Sequence, residues 1–331
     1  MCNVTETSKV IAVFGATGCQ GRGVVAALLR KDSPAFHVLA LTRNIRSEAA
    51  RRLQDEHAGN HRLKFTCADV YNQESLYRAL EGAYGVFAVT NTHIEGKKIQ
   101  TEEDIKRELD AGQNIVAAAK ACHVQHFVMS SLPNITEASG GRFSNVYHFD
   151  YKNEVEKLAR QELNATFVHP GLFYTNLHRP QYCKREGDVV RFCPPVSGEK
   201  RADWVDPGHD IGIYVAEIFA LGPDKTASKT YPVVGPKISF AEMAVIFKSI
   251  TSQKSIYQPS TIEEWGDTVA AQAGVGYKRD IMEMMEWISA APDEKVCYGT
   301  MDVGADTSFH DLGVKATSFE EWLERSNWTG P

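Results

Sequence analysis

The sequence predicts an α/β protein in which a doubly wound parallel Rossmann sheet is joined to a smaller α/β lobe. An apolar run at residues 10–14 leads directly into a glycine-rich turn, after which apolar residues recur at helical spacing. Further apolar runs and helical patterns then alternate at regular intervals, which is typical of a parallel sheet covered by helices on both faces. The length of 331 residues exceeds what one compact core usually needs and leaves room for a second lobe.

The strands and helices of the first half can be placed from these patterns. Strands are short apolar runs, and helices are stretches in which apolar residues stand three or four apart. Because ligands of such sheets lie beyond the carboxyl ends of the strands, the residues that directly follow each strand are candidate site residues. The predicted strands cover residues 37–41, 63–67, 86–89, 126–129 and 166–168, and the predicted helices cover residues 75–80, 102–121 and 144–163.

The turn after the first strand has the features of a phosphate-binding loop. Its glycines follow the spacing G-x-x-G-x-x-G, between a strand and a helix. They permit a tight turn, close approach of a pyrophosphate and close packing of the helix, whose unpaired first-turn amides attract an anion. The alternative is a glycine-rich turn without a ligand. The predicted cofactor contacts in this turn are Gly15, Thr17, Gly18, Cys19, Gln20 and Gly21.

Two arginines follow the second strand, where NAD-specific sites usually have an acidic residue. Arg43 follows the strand after Thr42, and Arg46 stands three residues later. A guanidinium matches a ribose 2′-phosphate, so this pair favours NADP(H) over NAD, although two solvated arginines are the alternative. Four further candidates follow the third and fourth strands, each with simple loop chemistry as its alternative. They are Asp69 and Val70, beside the adenine, and Thr90 and Asn91, beside the ribose or phosphate.

His148 and Lys152 are the candidate catalytic residues. They stand four residues apart on the helix predicted at residues 144–163, so both lie on one face. In short-chain dehydrogenases a tyrosine and a lysine have this spacing, and the lysine lowers the pKa of the phenol and binds the nicotinamide ribose. Here Tyr147 and Tyr151 flank the histidine without having that spacing. We therefore expect His148 to donate the proton and Lys152 to bind the ribose; the alternative is that Lys152 only holds the cofactor and His148 only packs.

The chain resembles the NmrA-like group of atypical short-chain dehydrogenase/reductase proteins, including fungal NmrA-type proteins and the human NmrA-like redox sensor. The resemblance covers nearly the whole chain. It implies an NADP(H)-binding fold whose members are either reductases or non-catalytic redox sensors. The chain departs from the sensor-type relatives at Gln113, where a lysine is expected. The matching stretches are residues 15–21, 42–44, 90–91, 148–156, 170–177, 204–206 and 210–212.

The second half is predicted to form the smaller lobe. We expect residues 1–170 to be the NADP-binding Rossmann domain and residues 171–331 to be the substrate lobe, with residues 205–234 returning to the sheet. In that return, Asp206 and Pro207 would begin a helix through Ala220. Capping boxes are predicted at Ser239/Glu242, Ser260/Glu263 and Thr317/Glu320, and Leu172, Phe173 and Tyr174 are expected to position the nicotinamide.

Composition excludes several other classes of protein. The chain has 36 basic and 42 acidic residues, a net charge of −6, and no basic run interleaved with aromatics, so direct nucleic-acid binding is not expected. It has no apolar stretch of membrane-spanning length and no charged leader, which indicates a cytoplasmic protein whose size is compatible with nuclear entry. Seven cysteines without metal-ligand spacing fit a reducing compartment and no metal site. Cys19 lies where a helix N-terminus favours the thiolate, although a small packing residue is the preferred interpretation over a redox switch.

The sequence therefore predicts an NADPH-dependent reductase that acts on a small carbonyl compound, imine or activated alkene. Lys152 would orient the ribose, and His148 or a nearby tyrosine would supply the proton. The alternative is a non-catalytic NADP(H)-binding redox sensor that regulates a protein partner such as a transcription factor. The expected partner is thus a small-molecule substrate or a regulated protein. The sequence also allows the chain to form a homodimer.

Overall fold

Strands and helices alternate along the whole first half of the chain. The computed structural model describes residues 9–31, 34–92 and 96–331. No end of a helix or strand predicted for the first half is displaced by more than three residues. The elements are β1 (Val10–Val13), α1 (Cys19–Arg30), β2 (His37–Thr42), α2 (Glu48–Glu56), β3 (Leu63–Cys67), α3 (Gln73–Leu80), β4 (Gly85–Val89), α4 (Glu102–Ala121), β5 (His126–Ser130), α5 (Ile135–Ala138), α6 (Tyr147–Glu162) and β6 (Ala165–Pro170).

The second half contains shorter strands that are interspersed with helices. They are β7 (Leu172–Phe173), β8 (Cys183–Glu186), β9 (Val189–Phe192), β10 (Arg201–Ala202), β11 (Trp204–Val205), α7 (Asp210–Leu221), α8 (Pro223–Thr226), β12 (Thr230–Val233), β13 (Ile238–Ser239), α9 (Phe240–Thr251), β14 (Lys254–Tyr257), α10 (Ile262–Ala273), α11 (Lys278–Ala290), β15 (Lys295–Val296), β16 (Met301–Asp302), α12 (Ser308–Leu312) and α13 (Phe319–Ser326). No helix within the described residues is both long and apolar enough to cross a membrane.

Seven parallel strands form the central sheet in the order β3-β2-β1-β4-β5-β6-β12. Ala12 of β1 lies between Leu39 of β2 and Val86 of β4, where the direction of winding reverses. A crevice therefore opens beyond the carboxyl ends of β1 and β4. This architecture confirms the predicted α/β class with a doubly wound parallel sheet.

Helices cover both faces of the sheet. On one face α1 and α7 bury apolar side chains such as Leu28 and Phe219 against the strands, and on the other face α3, α4 and α6 do the same. The helices α1 and α7 approach so closely that a Cβ on Gly212 would lie 2.3 Å from the carbonyl oxygen of Gly23. Only glycine fits there. A third apolar core, rich in aromatic side chains, holds the C-terminal lobe together.

Residues 205–234 lie against the sheet. Helix α7 packs on α1, and β12 pairs with β6, with Tyr231 opposite Val168. We propose that the chain divides at residue 171. In this division the segment 205–234 belongs to the Rossmann core, although it follows the first part of the lobe in the sequence.

The predicted start of the helix at Asp206 is wrong. Helix α7 begins at Asp210, because the amides of His209 and Asp210 bond to the carbonyl oxygen of Asp206 at 3.2 and 2.9 Å and close a turn before the helix. The carboxylate of Asp206 instead accepts from the amide of Gly208 at 3.1 Å and from Arg325 at 2.6 Å. An aspartate before a proline is thus a turn residue here, and the helix starts one turn later.

The predicted capping boxes are correct in number, but two of the three are displaced by one residue. The first lies where predicted. The other two shift because the hydroxyls of Ser260 and Thr317 have other partners, the carbonyl oxygen of Cys193 at 2.7 Å and the carboxylate of Asp210. The observed boxes of the lobe are Ser239/Glu242, Thr261/Glu264 and Ser318/Glu321.

A buried carboxylate ties α6 to β6. Glu156 is 4% exposed and accepts from His169 at 2.7 Å and from Arg160 at 2.6 Å. Burial alone would raise the pKa of Glu156, but His169 and Arg160 outweigh burial and lower that pKa to about 2. A carboxyl whose pKa is lowered by folding stabilises the folded state above its unfolded pKa, near 4.5, and loses that contribution as the pH falls towards 2.

We predict that Glu156→Gln lowers the free energy of unfolding by roughly 3 kcal/mol at neutral pH, since each pKa unit corresponds to about 1.4 kcal/mol. The gap between variant and wild type should close between pH 4.5 and pH 2. Urea unfolding at a series of pH values measures it. As a control, Glu137→Gln removes an exposed pair with Lys157 and should change stability little. A gap that is the same at every pH would contradict the assignment.

Candidate active site

A cleft opens beyond the carboxyl ends of β4, β5 and β6, between the sheet and the C-terminal lobe. The space between its walls, including the part that is open to solvent, is about 870 Å³. Its position at the ends of parallel strands is where ligands of this architecture bind. Seven of the predicted site residues line it together with three tyrosines of the lobe. These lining residues are Gln20, Thr90, Asn91, His148, Lys152, Leu172, Phe173, Tyr182, Tyr277 and Tyr298.

The ammonium of Lys152 is held in place at the end of β4. Its Nζ donates to the carbonyl oxygen of Thr90 at 3.0 Å and to the hydroxyl of Thr90 at 3.1 Å, and it forms an ion pair with Glu108. Glu108 comes from α4, and its side chain is fully buried. The same carboxylate accepts from the hydroxyls of Thr90, at 2.7 Å, and of Thr92. Since an ammonium has three donors, all of them are in use.

Glu108 is a site residue that the sequence analysis did not find. Burial favours its neutral form, but the ammonium of Lys152 and the two threonine hydroxyls outweigh burial and lower the pKa of the carboxyl. A signal was present, because Glu108 falls on the apolar face of α4 together with Ile105 and Leu109. Gln113, which stands where a lysine was expected, is exposed and does not line the cleft.

His148 is held by an aspartate of the lobe. Asp280 of α11 is 1% exposed and pairs with Nδ1 of His148, while its other oxygen accepts from the backbone amide of His148 at 3.0 Å. The ring edges meet Phe149 and Tyr277 at centroid distances of 4.8 and 5.6 Å. Such a partner fixes the orientation of the imidazole and leaves Nε2 for a ligand. Within the described residues, Nε2 has no hydrogen-bond partner.

The glycine turn fits a bound phosphate. Helix α1 begins at Cys19 without a side-chain cap, whereas capping side chains cover the first turns of α2 and α3. Gly15 has a φ of +61°, and a Cβ on Gly21 would lie 2.1 Å from the carbonyl oxygen of Gly15. Beside these amides, Oε1 of Gln20 is buried and has no hydrogen-bond partner among the residues that the structure describes. An unpaired acceptor next to a row of free donors fits a dinucleotide with its phosphate and hydroxyl groups.

The predicted thiolate character of Cys19 is wrong. Its side chain is reachable from solvent, but the surrounding protein atoms and the carboxylate of Asp206 raise the pKa of the thiol to about 11, against a smaller opposing effect of Arg22. At neutral pH the thiol is protonated, which favours the packing role over the redox switch.

Arg43 and Arg46 lie outside the cleft, at the exposed end of β2. Neither guanidinium has a hydrogen bond or ion pair within the described residues. The backbone of Arg46 is fixed, because its amide donates to Asn44 at 2.9 Å and its carbonyl oxygen accepts from Arg51 at 2.8 Å. Both side chains are thus free to bind an anion at this edge of the sheet.

Asp69 and Val70 follow β3 at the same edge of the sheet. The carboxylate of Asp69 accepts from the amide of Tyr71 at 3.0 Å, and the carbonyl oxygen of Val70 accepts from Asn114 of α4 at 3.0 Å. Asp69 is exposed and Val70 is half-buried. Neither residue lines the cleft, so their place beside the adenine stays a prediction.

Leu172 and Phe173 line the cleft, but Tyr174 does not. The ring of Tyr174 is fully buried in the core of the lobe, where it stacks on Trp204 and Trp322 at centroid distances of 5.7 and 5.4 Å. Burial is the main reason why the pKa of its phenol is raised far above the usual range. The expected role of the Tyr174 side chain at the nicotinamide is therefore not supported.

The tyrosines that reach the cleft come from the lobe rather than from α6. Tyr147 donates to Asn145 at 2.9 Å and stacks on Tyr151, and neither lines the cleft. Tyr182 and Tyr298 do line it, and their hydroxyls have no partner within the described residues. Both residues were missed because nothing near them in the sequence resembles a motif.

Comparison with known proteins places this fold and site in context. A model of the NmrA-like family matches residues 7–323. An NmrA-like family domain-containing oxidoreductase of Aspergillus hancockii is 30% identical over 272 residues, which cover 78% of this chain and 77% of that protein.

Two solved structures share the fold. NmrA, described as a negative transcriptional regulator and crystallised in complex with NADP, is 21% identical with a TM-score of 0.74, over 95% of this chain and 94% of NmrA. The triphenylmethane reductase of Citrobacter sp., crystallised in complex with NADP(H), is 19% identical with a TM-score of 0.69, over 96% of this chain and 100% of the reductase.

Proposed function

The chain belongs to the NmrA-like family, and on that premise we propose that it is an NADP(H)-dependent reductase of a small carbonyl compound, imine or activated alkene. The observation that supports this proposal most is the cleft itself, which brings His148 and Lys152 of α6 together with Gln20 of the glycine turn. The naming of relatives as oxidoreductases supports an enzyme.

The residues present fit NADPH, which supplies a hydride from C4 of its nicotinamide when bound. The free amides at the start of α1 would hold the pyrophosphate, and Arg43 and Arg46 would hold the 2′-phosphate. Lys152 would bind the nicotinamide ribose. Because its three donors are already used, a ribose hydroxyl must replace one of the bonds to Thr90, while the ion pair with Glu108 keeps the ammonium in position.

The remaining residues would shape the substrate side. Leu172 and Phe173 provide an apolar wall that excludes water from the reacting carbon. The proton would come from His148, which Asp280 orients, or from a nearby tyrosine.

The proposal is tested by following NADPH absorbance with a panel of aromatic aldehydes, quinones, cyclic imines and enones. Steady oxidation of NADPH with at least one class is expected. Turnover by none of them, together with tighter binding of NADP⁺ than of NADPH, would contradict the reductase and support the sensor.

We predict that Arg43→Ala weakens NADP(H) binding by tenfold to a hundredfold and leaves NAD(H) binding nearly unchanged. A charge-assisted hydrogen bond contributes about 1.5–3 kcal/mol, and only NADP(H) has the 2′-phosphate. Calorimetry with both nucleotides measures the effect. Arg52→Ala, which removes an exposed arginine of α2 that pairs with Glu48, is the matched control. Equal losses for both nucleotides would contradict the 2′-phosphate assignment.

The second candidate function is a non-catalytic NADP(H) sensor that regulates a protein partner. One observation favours it: the ammonium of Lys152 is already paired with a buried carboxylate, so Lys152 has a structural reason to be present. The sensor predicts that nucleotide binding changes the affinity for a protein, and it requires no turnover.

A further inference from the structure

The hairpin of β15 and β16 brings Tyr298 from the lobe to the cleft. Its loop contains three successive residues with positive φ: Cys297 at +52°, Tyr298 at +57° and Gly299 at +77°. Residues other than glycine rarely adopt this conformation, and each costs on the order of 1–3 kcal/mol. Hairpin turns allow successive positive φ values, but glycine, asparagine and aspartate usually occupy those positions rather than a cysteine and a tyrosine.

Contacts from the lobe enforce this backbone. The amide of Tyr298 donates to the buried carboxylate of Asp203 at 3.3 Å, and its carbonyl oxygen accepts from Nε1 of Trp287 at 3.0 Å. Cys297 is 1% exposed, and its carbonyl oxygen accepts from the hydroxyl of Thr300 at 2.7 Å. The loop conformation is therefore unfavourable in itself and is held by contacts with the lobe. Its consequence is that the phenol of Tyr298 has a fixed position.

The phenol itself faces the cleft. Its ring packs edge-on against Phe149, the residue after His148, at a centroid distance of 4.8 Å and an angle of 84°. The hydroxyl has no hydrogen-bond partner within the described residues, and it is not among the atoms sealed away from solvent. Tyrosine hydroxyls in largely buried positions usually find a partner, so this one is left for a ligand.

We propose that Tyr298 is the catalytic phenol of this cleft and gives a hydrogen bond, then a proton, to the carbonyl oxygen or imine nitrogen of the substrate. This inference rests on the proposed reductase function, in which NADPH is the reductant. As the carbonyl carbon gains the hydride, the C=O π bond breaks and its electron pair moves to oxygen. That oxygen takes the proton of Tyr298, and the phenolate recovers a proton from water.

The chemistry of the phenol agrees with this role. Burial, helped by Tyr182 and Asp203, raises the pKa of Tyr298 well above its usual value, so the phenol is protonated at neutral pH. A raised pKa makes this phenol a weaker acid than an ordinary tyrosine, so it gives up its proton only to a strong base such as the alkoxide that forms on hydride transfer. Tyr182 also lines the cleft and its hydroxyl has no partner within the described residues, but its backbone φ is not positive.

The first test compares the kinetics of Tyr298→Phe with those of wild type and Tyr147→Phe. Tyr298→Phe should lower kcat about a hundredfold, within the range of general acids, with unchanged NADPH affinity and thermal midpoint. Tyr147→Phe removes a phenol of α6 that bonds outside the cleft, so it should react at the wild-type rate. If His148→Phe instead abolishes the reaction while Tyr298→Phe does not, the proton comes from His148 and the proposal is overturned.

The second test needs no turnover. The absorbance of 4-(dimethylamino)cinnamaldehyde shifts to the red when its carbonyl oxygen accepts a strong hydrogen bond. With NADP⁺ present, wild type and Tyr147→Phe should bind it with the shift, and Tyr298→Phe should bind it without the shift. A shift that persists in Tyr298→Phe, or wild-type protein that gives no shift, overturns the assignment of Tyr298.

The two tests together separate the proposals. A Tyr298-dependent shift without reduction of any compound in the panel would contradict the reductase and leave Tyr298 as the ligand donor. Reduction by wild type with an unchanged rate and shift in Tyr298→Phe would leave the reductase standing and remove Tyr298 from it.

Discussion

Replacing Lys152 by methionine is expected to lower the free energy of unfolding by roughly 3–5 kcal/mol, although the residue lies in the cleft and not in an apolar core. The reason is Glu108, whose fully buried carboxylate would keep its two threonine donors but lose its only cation among the described residues. Removing one partner of a buried ion pair leaves an uncompensated charge in a medium that solvates it poorly. Urea unfolding at neutral pH measures the loss.

The double variant Lys152→Met/Glu108→Gln separates stability from function at this position. It removes the buried charge and keeps the hydrogen bonds to Thr90 and Thr92, so most of the lost stability should return. If Lys152 binds the nicotinamide ribose, the double variant should have a lower affinity for NADPH and a lower turnover rate than wild type even though its stability is restored. Calorimetry and single-turnover kinetics on the double variant therefore report on the ribose contact alone.

A matched control comes from Lys254, whose ion pair with Asp188 is exposed on both sides. Lys254→Met should change stability little, since exposed pairs contribute almost nothing. A Lys152→Met variant as stable as wild type would show that Glu108 is solvated. A double variant with wild-type affinity for NADPH would show that Lys152 is structural and does not touch the cofactor.

The strands and helices of the first half could be predicted closely from the sequence, because each is a local pattern. The run of apolar residues in β1 followed by Gly15 is a strand and a turn in any context. The spacing of His148 and Lys152 likewise places both on one face of α6, since helical geometry alone decides it. Such features depend on neighbours within a few residues, which the sequence displays directly.

The partners of those residues could not be predicted in the same way. His148 is 132 positions from Asp280, and Lys152 is 44 positions from Glu108. Tyr298 reaches the cleft from a hairpin of the lobe, at a place where no motif precedes it. Contacts of this kind depend on how the lobe docks on the sheet, and docking is a property of the packed fold rather than of any window of sequence.

Two of the errors share one origin, a contact from a distant part of the chain. The pKa of Cys19 was judged only from its position at a helix N-terminus. Burial and the carboxylate of Asp206, which lies far away in the sequence, raise that pKa instead. Tyr174 was placed at the cleft because its two predecessors are there, yet its ring stacks on Trp204 in the lobe. A local rule fails where a residue from a distant segment supplies the larger energy.

The last expected result concerns the glycine turn: Gly18→Val should weaken NADP(H) and NAD(H) binding at least a hundredfold and leave the fold intact. Gly18 is exposed at the N-cap of α1 with a φ of −87°, which any residue can adopt. Its own amide is used in the turn, bonded to the carbonyl oxygen of Gly15 at 2.8 Å. A branched side chain there would lie over the free amides of the first turn, where the pyrophosphate is expected.

Gly21→Ala is the matched variant in the same turn. It should lower the stability of the fold, whereas Gly18→Val should lower the affinity for the nucleotides. A Cβ on Gly21 would lie 2.1 Å from the carbonyl oxygen of Gly15, against 3.3 Å for a Cβ on Gly18. The backbone must move to admit a Cβ on Gly21, whereas a Cβ on Gly18 needs only a small adjustment. Gly21→Ala should therefore lower the thermal midpoint, and Gly18→Val should not. Calorimetric titration and thermal unfolding of both variants make the comparison. If Gly18→Val binds both nucleotides as wild type does, the glycines serve only the turn, and the pyrophosphate must be sought elsewhere along the carboxyl ends of the strands.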